Sequence, residues 1–282
     1  MTVVVETIAE TRALLDKERE AGHRIGFVPT MGYLHEGHAS LMRAARMHND
    51  VVVVSIFVNP LQFGPTEDLA AYPRDLVRDL EVCERERVDV VFHPSANEMY
   101  PDPNPFTVTV GEIGAKLCGR SRPSHFDGVV TVVSKLFNIA GPCRAYFGQK
   151  DAQQLLVIRR LARALDFPVE VVGCPIVREP DGLAMSSRNV YLTPDERRSA
   201  LVLKAALDEA AAAIEQGERD GRRIADAMAA RISSEPLARL DYAACVDPET
   251  LEEIGTLRGS ALLAVAARFG SARLIDNLTV TL

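Results

Sequence analysis

The 282-residue sequence has no excess of basic residues: 32 lysines and arginines stand against 39 aspartates and glutamates, a net charge of −7 at pH 7. Binding a nucleic-acid backbone non-specifically demands clustered Lys and Arg, so a nucleic-acid partner is not expected and any phosphate site must be local. There is no CxxC pair either. The five cysteines (Cys83, Cys118, Cys143, Cys174 and Cys245) are scattered and odd in number, which argues against a disulfide framework or a zinc site and predicts reduced thiols in a cytoplasmic protein. The longest near-apolar run, Val51–Val58, is too short to span a bilayer. The N-terminal MTVVVETIAETRALL lacks the basic and apolar regions of a signal peptide. No membrane association is expected, and no internal repeat or low-complexity tract is present.

What is there is ordinary globular composition, 47% hydrophobic and 25% charged. At roughly 150 residues per domain the length suggests two domains. Short β-branched runs at Arg24–Val28, Val51–Val58, Val88–Phe92, Arg144–Phe147 and Val169–Val172 read as strands. Between them, His38–His48, Pro73–Arg87, Gly128–Ala140 and Asp151–Leu165 read as helices. Continuous runs such as VVVVSIFV suit parallel strands covered on both faces. The alternation predicts an α/β fold, a doubly wound parallel (Rossmann-like) sheet over residues 1–176. Ligands of such sheets sit beyond the C-terminal strand ends, so the loops after Val28, Val58 and Phe147 are where chemistry is expected.

The segment 173–192 is rich in Gly, Pro and Asp. Thr193-Pro194-Asp195-Glu196 then offers an N-cap, a proline at the first helical position and a Glu three residues after the cap. Helices over Pro194–Gln216 and Gly221–Ser233 and strands at Leu240–Val246, Ala261–Ala267 and Leu274–Ile275 predict a smaller α+β domain over 177–282.

Two constellations carry chemistry. Met31-Gly32-Tyr33-Leu34-His35-Glu36-Gly37-His38 follows a predicted strand and opens a helix, whose free N–H groups and positive dipole end suit phosphate. Gly37 admits close backbone approach, and His35 and His38 share one face of the turn. A surface pair or a metal site are the alternatives, but the spacing is wrong for HExxH and no third ligand is apparent. The second is Met185-Ser186-Ser187-Arg188, whose hydroxyls and guanidinium suit a triphosphate; alone, it would read as a solvated loop.

Together, an HxGH turn after the first strand and a late SSR loop resemble the class I adenylyl-transferase superfamily. Within it the chain resembles the pantothenate synthetase (pantoate–β-alanine ligase) family through FVPTMGYLHEGH (Phe27–His38), SIFVNPLQFGPTEDLAAYPR (Ser55–Arg74), RPSHFDGVVTVVSKLFN (Arg122–Asn138), YFGQKDAQQL (Tyr146–Leu155), VREPDGLAMSSRNVYL (Val177–Leu192) and LLAVAARFGSARLIDN (Leu262–Asn277). The resemblance implies ATP and Mg²⁺ as cosubstrate and cofactor, pantoate and β-alanine as substrates, a pantoyl adenylate, and pantothenate on the way to coenzyme A. It implies ATP contacts from Met31–His38, Gly148-Gln149-Lys150-Asp151, Val177 and Met185–Arg188, with His38 the proton donor and His35, Lys150 and Arg188 beside it in catalysis.

Asp151 reads nearly as well as an N-cap. Gln62 and Gln154 match pantoate ligands; a primary amide both donates and accepts without adding charge. Asn59, Tyr72 and Arg122 fall near β-alanine, the pantoate pocket and the phosphates. Pro29, Met31, Val132 and Val133 are candidates for an apolar wall, or, for the valines, plain helix core. No metal ligand is assigned, because Arg78-Asp79 stands where some relatives carry two aspartates. The resemblance also implies a homodimer through the N-terminal domain and a smaller domain closing over the site. The competing readings are a nucleotidyltransferase, an aminoacyl-tRNA synthetase, for which the chain is short and acidic, and an ATP sensor without chemistry.

Overall fold

In a computed structural model, residues 2–65, 67–101 and 106–282 are described. The chain divides into two compact units. The first holds residues 1–114, 122–149 and 157–175; the second holds 115–121, 150–156 and 176–282. Two stretches of the first 176 residues thus group with the second unit, which no single cut of the sequence describes.

The first unit contains the expected parallel sheet, with six strands: β1 (Val3–Val5), β2 (Ile25–Thr30), β3 (Val51–Ile56), β4 (Val90–Phe92), β5 (Cys143–Gly148) and β6 (Val169–Cys174). Their order is β1-β4-β3-β2-β5-β6, all pairs parallel. The helices are α1 (Ile8–Glu20), α2 (Glu36–His48), α3 (Leu76–Arg85), the single turns α4 (Ala96–Met99), α5 (Glu112–Ala115) and α6 (Cys118–Ser121), then α7 (His125–Ala140) and α8 (Ala152–Ala164); α6 and the start of α8 fall in the second unit. Val28, Met42, Val54, Cys83, Val91 and Tyr146 join β2–β5 to α2 and α3 in one buried cluster. The next residue along β5, Phe147, faces the other way and meets Phe137 of α7 edge-on at 6.3 Å. Helices therefore cover both faces, which is why β3 is buried at all six positions.

β1 and α1 have no counterpart among the sequence-expected elements. Three residues are too few to show a period, and β1 is held by pairing with β4. Thr7 and Glu10 do form a capping box at the start of α1.

The second unit is built on an antiparallel sheet, β7 (Arg239–Val246), β8 (Ser260–Phe269) and β9 (Ala272–Thr281). The helix expected over Pro194–Gln216 is two helices, α9 (Pro194–Ala200) and α10 (Val202–Glu215), followed by α11 (Gly221–Ser233). The break lies at Leu201, whose N–H bonds back to the carbonyl of Arg198 in a 3₁₀ turn. The last strand runs well past Leu274–Ile275. It is extended by a two-residue hairpin in which Phe269 pairs with Ala272 and Gly270 takes φ +54°, the left-handed conformation such turns need. Leu203, Leu207, Ile224, Met228, Val265 and Phe269 fill its core.

Candidate active site

From β2 the chain steps to β3 and β4 on one side, then returns to β5 on the other side of β2. The strand order reverses between β2 and β5, and the turns leaving both strands start at that switch point. After β2, Gly32 and Tyr33 both have positive φ (81° and 51°). A Cβ on Gly32 would come within 2.9 Å of Asp79 Oδ2. The same carboxylate, 1% exposed on α3, accepts the N–H of Tyr33 at 2.8 Å and of Leu34 at 2.6 Å. Burial pushes the Asp79 carboxyl up, against the pull of those two donors. Arg78 stacks over the Tyr33 ring at 4.7 Å. The Arg78-Asp79 pair thus braces the turn from behind.

The brace delivers His35 to the N-cap of α2. His35 Nδ1 accepts the N–H of Gly37 at 3.1 Å, and the N–H of His35 donates to His38 Nδ1 at 3.3 Å. The two rings lie 4.1 Å apart. With both Nδ1 atoms accepting, each neutral ring carries its proton on Nε2, so two imidazole donors stand at a helix N-terminus. Glu36 sits outside this arrangement: it is exposed and paired with Arg43.

After β3, Asn59 caps the 3₁₀ turn Pro60–Gln62 and Gln62 ends it; they are 1% and 8% exposed. Asn59 Nδ2 donates to Gln62 Oε1 at 3.1 Å and to the carbonyl of Gly128 at 3.0 Å. Gln62 Nε2 donates to Met31 Sδ at 2.8 Å, linking this turn to the one after β2. Gly128 permits the approach, since a Cβ there would fall 2.2 Å from the carbonyl oxygen of Leu61.

Below it, Arg122 donates to Glu67 at 2.7 and 2.6 Å and to His125 Nε2 at 2.9 Å. His125 Nδ1 in turn donates to the carbonyl of Gln62 at 2.8 Å. Burial works against the Glu67 charge, but Arg122 outweighs it and holds the carboxyl below its usual value. Arg122 is therefore committed within this network. Val132 and Val133 are buried on α7, and Tyr72 packs edge-on against Phe63 at 5.7 Å.

The other expected residues sit in or beside the second unit. β5 ends at Gly148, and Gln149–Asp151 make a 3₁₀ turn into α8, which carries Gln154 in its first turn. Lys150 Nζ lies 3.6 Å from Asp151, and the Lys150 carbonyl accepts Asn277 Nδ2 at 2.9 Å. Within the Gly-, Pro- and Asp-rich segment, residues 177–185 form a short braced hairpin with one antiparallel bridge, Arg178 to Ala184. Met185 N–H donates to the carbonyl of Val177 at 3.0 Å, Glu179 N–H to that of Leu183 at 2.8 Å, and Arg178 forks onto Asp276 at 2.6 and 3.0 Å. Ser186 then caps the 3₁₀ turn Ser187–Tyr191 by accepting the N–H of Arg188 at 3.3 Å. Asp276 and Asn277, adjacent on β9, thus tie the Val177–Arg188 hairpin and the Lys150 turn to one strand.

Residues 3–279 match the family described as pantoate-beta-alanine ligase. The chain belongs to that family. A pantothenate synthetase of Thermotoga neapolitana is 57% identical over 274 residues, 97% of this chain and 98% of its own. The crystal structure of the pantothenate synthetase of Thermus thermophilus superposes with a TM-score of 0.93 at 50% identity, covering 98% and 99% of the two chains. A pantoate-beta-alanine ligase from Francisella tularensis, solved with beta-gamma ATP and beta-alanine, aligns with a TM-score of 0.78 at 34% identity, over 99% of this chain and 97% of that one.

In this pantoate–β-alanine ligase chain, sequence reasoning passed over Glu67, Tyr100, His125, Asp276 and Asn277 as supports of the site. Glu67, His125, Asp276 and Asn277 lie inside the matching stretches, and that position is the one signal in the sequence; Tyr100 lies outside them.

Proposed function

We propose that the protein joins (R)-pantoate to β-alanine at the expense of ATP, giving pantothenate, AMP and pyrophosphate. The observation that carries this reading is the family match over residues 3–279, in a chain whose HxGH turn is braced to present two donors at a helix N-terminus. In the first step a carboxylate oxygen of pantoate attacks the α-phosphorus of ATP, the bond to the β-phosphate oxygen breaks, and pyrophosphate leaves. In the second the amine of β-alanine attacks the acyl carbon and AMP departs.

The reading gives the triphosphate to the Met31–His38 turn, with Gly32, Tyr33 and Leu34 shaping the backbone and His35 and His38 donating. Gly148, Gln149, Lys150, Asp151, Val177, Met185, Ser186, Ser187 and Arg188 complete the ATP contacts. Lys150 and Arg188 supply positive charge as pyrophosphate forms, electrostatic support of the kind that dominates such steps. Gln62 and Gln154 read the acid. An unperturbed alkylammonium has a pKa of about 10, so β-alanine must shed a proton before it attacks.

Magnesium enters this reading as the counter-ion carried on the triphosphate. Among the described residues no group of three or more His, Cys, Asp or Glu is placed to hold a metal, and both Asp79 oxygens accept backbone N–H groups. These side chains do not form a metal site of their own. The five cysteines are free thiols, which suits a cytoplasmic enzyme. No helix among the described residues is long and apolar enough to cross a membrane. A homodimer through the N-terminal domain is part of the same reading and is tested by sedimentation equilibrium.

ATP–pyrophosphate exchange tests the chemistry. Exchange that requires pantoate but not β-alanine is expected, with one equivalent of pyrophosphate released in rapid quench before β-alanine is added. Nucleotide binding without exchange would favour a sensor. No pyrophosphate until β-alanine arrives, together with no exchange, would exclude the adenylate.

A further inference from the structure

The amide of Asn59 has no hydrogen-bonding capacity left. Its oxygen accepts the N–H of Leu61 at 3.3 Å and the hydroxyl of Tyr100 at 2.8 Å. Its two protons go to Gln62 Oε1 and to the carbonyl of Gly128. An amide offers two protons and two lone pairs, so the set is complete, and the side chain is 1% exposed. Asn59 is therefore not available to touch a substrate, although the family resemblance puts it beside one.

Its orientation has one solution. The Leu61 N–H can only donate and the Gly128 carbonyl can only accept, so a flipped Asn59 amide would oppose donor to donor and acceptor to acceptor. The Tyr100 hydroxyl completes the shorter of the two bonds to Oδ1. Burial raises its pKa and keeps the proton on oxygen, and its ring packs 6.0 Å from Phe57.

The consequence falls on Gln62. Because Asn59 presents a donor, the Gln62 oxygen must turn toward it, and Nε2 must point the other way. There it meets the sulfur of Met31 at 2.8 Å, a weak acceptor on the first residue after β2. A donor directed at a thioether is one that a carboxylate or hydroxyl oxygen of a ligand can readily take over.

We propose that Tyr100 and Asn59 are positioning residues that fix the polarity of Gln62, so that it offers an N–H rather than a carbonyl to the acid substrate. The proposal rests on the reading of Gln62 as an acid-binding residue given above. Loss of the Tyr100 hydroxyl leaves Asn59 Oδ1 with only its long bond and loosens the Gln62 amide without removing it. The effect belongs on recognition of the acid and not on ATP.

The test is a double-mutant cycle read by pyrophosphate exchange, using pantoate and ATP as the varied substrates. Tyr100→Phe should raise the KM for pantoate roughly three- to tenfold, the scale of one hydrogen bond, with the KM for ATP unchanged. In a Gln62→Leu background the same change should have no further effect, because Tyr100 acts through the amide that is gone. Asn59→Asp replaces the donor by an acceptor and turns the Gln62 carbonyl outward. It should raise the pantoate KM more than Tyr100→Phe does and be equally silent with Gln62→Leu, and it carries the test if Tyr100→Phe does not fold. If Gln62→Leu alone leaves the pantoate KM unchanged, the acid-binding reading fails. If Gln62→Leu raises it while the Tyr100 and Asn59 changes either do nothing or add in full, the positioning proposal fails and the reading stands.

Discussion

Asp79 accepts the backbone N–H of Leu34 at 2.6 Å across 45 residues of sequence, and this contact holds the HxGH turn in shape. The turn needs it because Gly32 and Tyr33 are both in the left-handed region, where Tyr33 is strained.

Asp79→Ala should therefore cost stability and ATP binding together. Two N–H groups lose their acceptor, at about 1–3 kcal/mol each when buried, partly offset by release of a desolvated carboxylate. Urea unfolding should show a loss of about 2 kcal/mol, and the KM for ATP should rise. A variant as stable as the parent with an unchanged ATP KM would mean that the turn holds its shape alone.

Two carboxylates of the first unit should show opposite pH signatures. The Glu67 pKa is lowered by folding despite its burial, so the unfolded chain binds the proton more tightly. Its contribution is present above the unfolded pKa of about 4.3 and is lost as pH falls. The Asp79 pKa is raised by burial, so the folded chain binds the proton more tightly. Its contribution is largest below about 3.9 and declines as pH rises through the folded pKa. The stability of the parent over Glu67→Gln should thus grow from acid toward neutral pH, while its stability relative to Asp79→Asn should shrink. Slopes of the same sign would contradict one of the two environments.

His38→Ala and Lys150→Ala should fold normally and cut adenylation by about 10²–10³, the usual effect of deleting one preorganised donor. His38 accepts the N–H of His35 within the same turn, at 3.3 Å, and the Lys150 carbonyl, which the substitution keeps, accepts Asn277 Nδ2. Pyrophosphate exchange near the parent rate in either folded variant removes that side chain from the chemistry.

Gln154→Leu should lose selectivity for pantoate more than affinity for ATP. Its neighbour Gln153 is the structural member of the pair, buried and bonded to the N–H of Cys118 at 3.0 Å and the carbonyl of Lys116 at 2.8 Å. A site built to bond a hydroxyl can reject the deoxy analogue by about 10⁴-fold. The measurement is the ratio of kcat/KM for pantoate and that analogue; a ratio that stays put while ATP binding weakens reassigns Gln154 to the nucleotide.

The sequence by itself determined the layers of the fold and the family to which the chain belongs. Buried β-branched runs separated by amphipathic helices allow little besides a covered parallel sheet. The cap of Thr193 and Glu196 is set by neighbours within a few residues, and the HxGH motif is legible in sequence between strand and helix although its turn is braced from Asp79, 45 residues away. Tertiary structure decided what local signals cannot encode. β1 is a strand because β4 pairs with it. The Val177–Arg188 segment is tied to β9 because Arg178 reaches Asp276 across 98 residues, a contact its composition alone does not show. Asn59 reads as a ligand in sequence, and only the fold shows that Tyr100 and Gly128 engage its amide. Strand and helix periods arise from the geometry of adjacent residues, whereas the partner of a buried polar group is chosen by packing between segments that the chain brings together from far apart. The residues that shape this site are held by bonds of that second kind.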